Sequence, residues 1–160
     1  MSAAPLDDSG RNEKIAWPYL IAAVLALVGL GDAIYLTVEH LTGESLRCTI
    51  ISGCSEVLSS PYSHIGSVPL AAIGALAYFA VFSLATLVMF RYQFAATLLK
   101  IIVAIMFLTT LWLLYLQAFV IRHFCQYCLL SALVTFSLTG VLLLTAVTKS
   151  NRTRRTPPTK

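Results

Sequence analysis

The chain has 160 residues, 58% of them apolar and 11% charged, with a mean hydropathy of +0.83. A water-soluble domain usually carries about 25% charged residues, so the composition excludes a water-soluble globule, and the length allows one domain of about 150 residues. The formal net charge of +4 would point to an acidic partner such as nucleic acid only if the basic residues were gathered on one folded surface; they are instead spread between apolar stretches and a terminal tail.

Residues 1–14 form a short polar segment. Four apolar stretches follow at 15–38, 68–90, 101–121 and 124–147, each close to the ~20 residues that a membrane-spanning helix needs. A helix in lipid satisfies its own backbone hydrogen bonds, so no sheet is required. The expected fold is an all-α integral membrane protein: a bundle of four transmembrane helices over 15–148, with an outer loop at about 40–67 between the first two. The first stretch is too long for a signal peptide and lacks a small-residue cleavage site, so it reads as a retained anchor.

Orientation follows from the lysines and arginines, which favour cytoplasmic flanks. All but Arg47 and Arg122 fall before the first stretch, between the second and third, or after the fourth. Both termini are therefore expected in the cytoplasm, with the chain in the cell's inner (plasma) membrane. Residues 149–160, polar and carrying Pro157-Pro158, read as a disordered basic tail beside anionic lipid and not as a nucleic-acid arm.

This topology gathers all four cysteines on the outer side. Cys48 and Cys54 lie in the loop, and Cys125 and Cys128 at the start of the fourth helix, in a compartment where disulfides persist. In Cys125-Gln126-Tyr127-Cys128 the i, i+3 spacing sets both side chains on one helix face, with Cα atoms ~5 to 6 Å apart, inside the window for a disulfide. The helix N-terminus, with Arg122 and His123 just upstream, favours a thiolate. The loop pair closes a short flexible ring containing Gly53. A mobile dithiol beside a fixed one suits thiol–disulfide exchange between a soluble protein and a lipid-dissolved acceptor; a static disulfide clamping the loop is the alternative reading.

Several other residues are candidates. Asp32 is an ionisable group inside the first helix, where its cost hints at function. Ser59, Ser60 and Tyr62 follow the loop pair and either line a pocket mouth or form an ordinary turn. Gly29, Gly31 and Gly74 read as close-approach points between helices, and Trp17, Trp112 and Tyr19 as packing or interface anchors. No metal is expected, because a structural zinc site draws its ligands from polar folded loops. A non-catalytic tetraspan membrane protein with structural disulfides is the alternative to an enzyme.

Gly31-Asp32-Ala33-Ile34-Tyr35-Leu36, the loop run from Cys48 through Cys54 to Ser63, Val68-Pro69, and Phe124-Cys125-Gln126-Tyr127-Cys128 together resemble the vitamin K epoxide reductase family, over about residues 17–147. The resemblance implies a four-helix bundle around a quinone, menaquinone or ubiquinone, with Cys125 and Cys128 as the active pair. Cys128 would contact the quinone, and Cys125 would exchange with the relay pair Cys48 and Cys54. Vertebrate members bind vitamin K through an Asn near the start of the second helix and a Tyr one turn after the CxxC; Leu70 and Ala132 stand at those positions here. That departure favours a plain quinone over an epoxide. Many bacterial members carry a fused thioredoxin-like domain, and its lack in these residues implies a separate partner, a DsbA-like thioredoxin-fold protein.

Overall fold

The computed structural model describes residues 8–42, 64–65 and 68–155. Helix α1 spans Asp8–Thr42, and strands β1 (His64–Ile65) and β2 (Val68–Pro69) form a small antiparallel pair. Helix α2 is Leu70–Met89, and α3 is Gln93–Tyr115, running on into a π-helical turn at Leu116–Ile121. Helix α4 is Gln126–Arg155. Four segments are long and apolar enough to cross a bilayer: Trp17–Thr42, Leu70–Met89, Phe94–Ile121 and Gln126–Thr148. At 1.5 Å per residue, the shortest of them matches a hydrocarbon core about 30 Å thick. The protein is an all-α, multi-pass membrane protein.

The distribution of side chains is the reverse of that in a water-soluble bundle. Leu76, Leu108, Leu133 and Leu144 are each more than 60% exposed, while α1 buries a row of alanines, Ala22, Ala23, Ala26 and Ala33. Lipid solvates leucine as well as a protein core does. Helices in it therefore associate through close backbone approach at small residues. Helix α1 packs most extensively on α2 and also on α4, and α3 closes the ring between α2 and α4.

Tyr78 of α2 sits at the centre of this ring. Its side chain is 2% exposed, and its hydroxyl lies 2.8 Å from Ser131 Oγ, 3.0 Å from the Ser131 carbonyl oxygen and 3.1 Å from Thr135 Oγ1, all on α4. The ring lies over Gly29 of α1, where an added Cβ would come within 2.6 Å of Tyr78 Cζ and 2.7 Å of Cδ1. Gly29 is thus the close-approach point. Gly31 and Gly74 are not, because a Cβ at either meets nothing within 4 Å.

The turn joining α2 to α3 is a Schellman motif. Arg91 takes the left-handed conformation (φ 68°), its N–H donates to the Val88 carbonyl (2.9 Å) and the Tyr92 N–H donates to that of Leu87 (3.3 Å), which satisfies carbonyls that the helix end would otherwise leave open. Up-and-down connectivity sets this turn at the same end of the bundle as the start of α1 and the end of α4, with Cys125 and Cys128 at the other.

Four boundaries differ from the sequence expectation. Helix α1 begins at Asp8, inside the segment read as a polar lead, and not at residue 15. Residues 68–69 pair as a strand instead of opening α2, because Pro69 serves as the N-cap in an extended conformation (φ −60°, ψ 134°). Helix α3 begins at Gln93, since the single Lys100 does not interrupt a helix that reaches the membrane surface. Helix α4 continues to Arg155, so residues 149–155, expected to be disordered, extend the fourth helix; the basic residues there suit a helix C-terminus.

Substituting Gly29 with Ala tests the central contact. The gain in helix propensity, about 1 kcal/mol, is outweighed because the Tyr78 ring is held on its far side by α4 and cannot retreat. We expect net destabilisation of about 1–3 kcal/mol, seen as a lower unfolding temperature in detergent, with Gly31→Ala unchanged or stabilised as the internal control.

Candidate functional site

The site begins where α3 gives way to the π-turn. In a π-turn the hydrogen bond runs from i to i+5, and such turns are frequent at functional sites. Here the turn buries Leu116 and Gln117 and ends at Arg122, which caps it in the left-handed conformation (φ 57°). The chain then reverses through His123 and Phe124 into Cys125, the N-cap of α4, whose carbonyl accepts the Leu129 N–H at 3.0 Å. Cys128 follows on the first turn.

Cys125 and Cys128 are both free thiols. Cys125, one residue outside the span that starts at Gln126, is fully buried. Its thiol is lowered to about 7, first because the Cys128 thiol donates a hydrogen bond to it, and further because the backbone N–H groups of Cys128 and Tyr127 point at the sulfur; burial opposes the shift. This is N-cap chemistry with sulfur in place of the usual oxygen. The first-turn N–H groups on which the sequence expectation rested take part in the shift, whereas the charges of Arg122 and His123, which it added, are not among the causes. The expectation that Cys125 is the outward, exchanging member meets a qualification: it is the more buried of the two.

Gln117 ties the pair to α3. Its side chain is 3% exposed, its Oε1 accepts the Cys125 N–H at 3.5 Å, and it is also hydrogen-bonded to Cys128. Tyr127, between the cysteines, packs against Tyr35 of α1 with ring centroids 5.2 Å apart and planes tilted by 45°, and the Tyr35 hydroxyl is hydrogen-bonded to Tyr127 and Glu39. The CxxC segment is therefore fixed to α1 and α3 as well as to its own helix.

Cys128 opens on a cavity of about 160 Å³ walled by all four helices. Most of its lining is apolar, including Leu36, Leu70 and Ala132; the polar groups are Asp32, Tyr78, Thr110, Gln117, Ser131 and Cys128. An apolar cavity of about 150 Å³ accepts a benzene ring, so the space admits a ring of that size. Asp32 is 9% exposed, and neither carboxylate oxygen has a hydrogen-bond partner among the described residues.

Of the residues singled out from the sequence, Cys125, Cys128, Asp32, Leu70 and Ala132 meet at this one end of the bundle, the last four on the cavity. Cys48, Cys54, Ser59, Ser60 and Tyr62 lie outside the described residues. Sequence reasoning missed Gln117, Tyr78 and Ser131. Gln117 carried a usable signal, being the one amide in the third apolar stretch; Tyr78 and Ser131 did not, since an aromatic or a serine in a membrane helix is ordinary. Trp112, Tyr115 and Phe119 stack in sequence on the lipid face of α3, with centroids 5.9 and 5.1 Å apart. They lie near the cysteine end, where an aromatic belt belongs.

A bundle of membrane-spanning helices with a pair of neighbouring thiols, one of them on an interior cavity, defines a membrane oxidoreductase of the thiol–disulfide class. The profile described as the vitamin K epoxide reductase family matches residues 20–143, most of the chain, and the chain belongs to that family. No curated protein matches it. Membership makes the protein an oxidoreductase in a family of quinone-linked reductases.

Two outcomes test the site. The ultraviolet thiolate absorbance of the reduced protein should titrate with a midpoint of about 7 and move upward in Cys128→Ala, which removes the principal donor; a midpoint near the ordinary ~8.5 in both proteins contradicts the hydrogen-bonding scheme. Gln117→Leu leaves the buried Cys125 N–H without an acceptor and should destabilise the reduced protein by about 1–3 kcal/mol, measured by thermal unfolding.

Proposed function

We propose that the protein withdraws electrons from a soluble thioredoxin-fold protein of the DsbA type on the outer face of the plasma membrane and delivers them to a membrane quinone, sustaining disulfide formation in exported proteins. The observation that carries this reading is the placement of Cys128. Its sulfur faces an interior cavity of ring-accepting size while its partner thiol caps the helix at the membrane edge.

The work of the chain's residues is thiol–disulfide exchange in two stages. A thiolate of the partner attacks the Cys48–Cys54 disulfide, and the second partner thiol resolves the mixed disulfide, leaving the loop pair reduced and the partner oxidised. A loop thiolate then attacks the Cys125–Cys128 disulfide at Cys125, and the other loop sulfur closes the ring again, leaving Cys125 and Cys128 as thiols. Cys125 is a good leaving group for this step because its thiolate is held by Cys128 and the first-turn N–H groups.

A bound quinone supplies a sink for two electrons and two protons. The cavity suits it: apolar walls for the ring, and the buried carboxylate of Asp32, which has no hydrogen-bond partner among the described residues. Leu70 and Ala132 offer apolar contact only, which suits menaquinone or ubiquinone and not an epoxide. Ser59, Ser60 and Tyr62 would complete the mouth of the pocket. Gln117 keeps Cys128 facing the cavity, and the bilayer is the route of exchange for the tailed quinone.

Cys128→Ser should abolish quinone reduction and leave the loop pair exchanging with the partner; full quinone reduction in that variant overturns the scheme. Expressing Cys48→Ala and Cys54→Ala separately should trap different mixed disulfides, one with the partner and one with Cys125. A membrane-impermeant thiol reagent applied to intact cells should reach the loop pair from outside, and labelling only after lysis would reverse the topology.

A further inference from the structure

We infer that Asp32 is the residue that holds and transfers the proton between the Cys128 thiol and the oxygen of the quinone ring. The inference rests on the proposed quinone function and adds to it a named proton carrier.

An ionisable side chain inside a membrane helix is costly and calls for a functional explanation. Asp32 lies three residues past Gly29 on α1, is 9% exposed, and has no hydrogen-bond partner for either oxygen among the described residues. A structural carboxylate in lipid would be expected to pair with a cation or a cluster of donors. It lines the same cavity as Cys128 instead.

The neighbouring groups narrow the assignment. The titratable side chains that face Asp32 are Tyr78 on α2 and Cys125 and Cys128 on α4. The polar cavity residues of α3, Thr110 and Gln117, do not ionise. The Tyr78 hydroxyl is engaged by Ser131 and Thr135, and Ser131 is part of the same network. Asp32 is the acid on the cavity whose two oxygens are uncommitted.

Its chemistry also matches what the acceptor requires. A quinone carbonyl only accepts hydrogen bonds, whereas the hydroxyl of the reduced ring donates. A carboxylic acid meets the first by donating, and as a carboxylate it meets the second by accepting. An amide can donate and accept but cannot give up a proton to the ring.

The Cys125 thiolate and the Cys128 thiol form one S–S bond and give up two electrons. The Cys128 proton and one proton from the aqueous side complete two O–H bonds on the ring. Asp32 gives its proton to a ring oxygen, is reprotonated by the Cys128 thiol as that S–H bond breaks, and returns to its starting form.

The test uses the full-length protein in vesicles with a short-chain ubiquinone and menadione as probes. Asp32→Asn should slow oxidation of the reduced Cys125–Cys128 pair by quinone about 100-fold or more, while probe binding, followed by quenching of intrinsic fluorescence, changes by no more than a few fold and the thiol oxidant diamide still oxidises the pair. Asp32→Glu should recover much of the rate. Infrared difference spectra of the wild type on probe addition should show a perturbed carboxylic-acid C=O band that is absent in Asp32→Asn and displaced in Asp32→Glu. Asp32→Asn reacting at the wild-type rate, or a wild-type spectrum without that band, overturns the inference even if Asp32→Asn proves unstable. A wild type that binds neither probe overturns the quinone reading itself and the inference with it, so the two failures are distinguishable.

Discussion

The contact between Tyr78 and Gly29 is the constraint on which the rest of the bundle depends. In lipid there is no general hydrophobic force between helices, so association rests on close backbone approach and on hydrogen bonds that have no competitor in the surrounding hydrocarbon. Tyr78 supplies both. Its ring occupies the space that Gly29 leaves on α1, and its hydroxyl reaches across to Ser131 and Thr135 on α4. Three helices are thereby set at a fixed separation, and the cavity is the space left on one side of that junction.

Polar groups within the membrane then divide into two kinds. Most hydroxyls are satisfied within their own helix: Thr37 donates to the Ala33 carbonyl, Thr86 to that of Phe82 and Thr139 to that of Thr135, each at 2.7 to 2.9 Å. These bonds stabilise the side chain without pointing to anything beyond the helix. Those around the cavity run between helices or end without a partner. Gln117 bridges α3 to the cysteines, Tyr78 bridges α2 to α4, and Asp32 has no partner among the described residues. Satisfied groups hold the bundle together, and the one carboxylate left over lies on the cavity.

The four helices and the pairing of Cys125 with Cys128 could be read directly from the sequence, because both depend on local signals: runs of apolar residues long enough to cross a bilayer, and a three-residue spacing on a helix. Asp32 stood out for a similar reason, as a charge where charge is costly. The packing partners did not stand out. That Gly29 meets an aromatic ring while Gly31 faces open space depends on how α1 is rotated against α2, which no local pattern records. The role of Gln117 depends on a π-turn, which has no sequence signature. The short β1–β2 pair was missed because a four-residue hairpin carries too little periodicity to register.

The π-turn at Leu116–Ile121 carries a consequence for how this end of the protein tolerates change. A wide turn stores one surplus residue relative to regular α-helix, and each residue advances the helix by ~100°. Deleting a single residue there would keep α3 long enough to cross the bilayer and keep its backbone hydrogen-bonded. It would also leave the upstream face, with Thr110 and Leu113, turned to the cavity, because the residue removed is the surplus one and the flanking turns keep their phase. The third helix can therefore lose a residue at this point without losing its sidedness, and what would be lost is the wide turn that brings Gln117 to the cysteines.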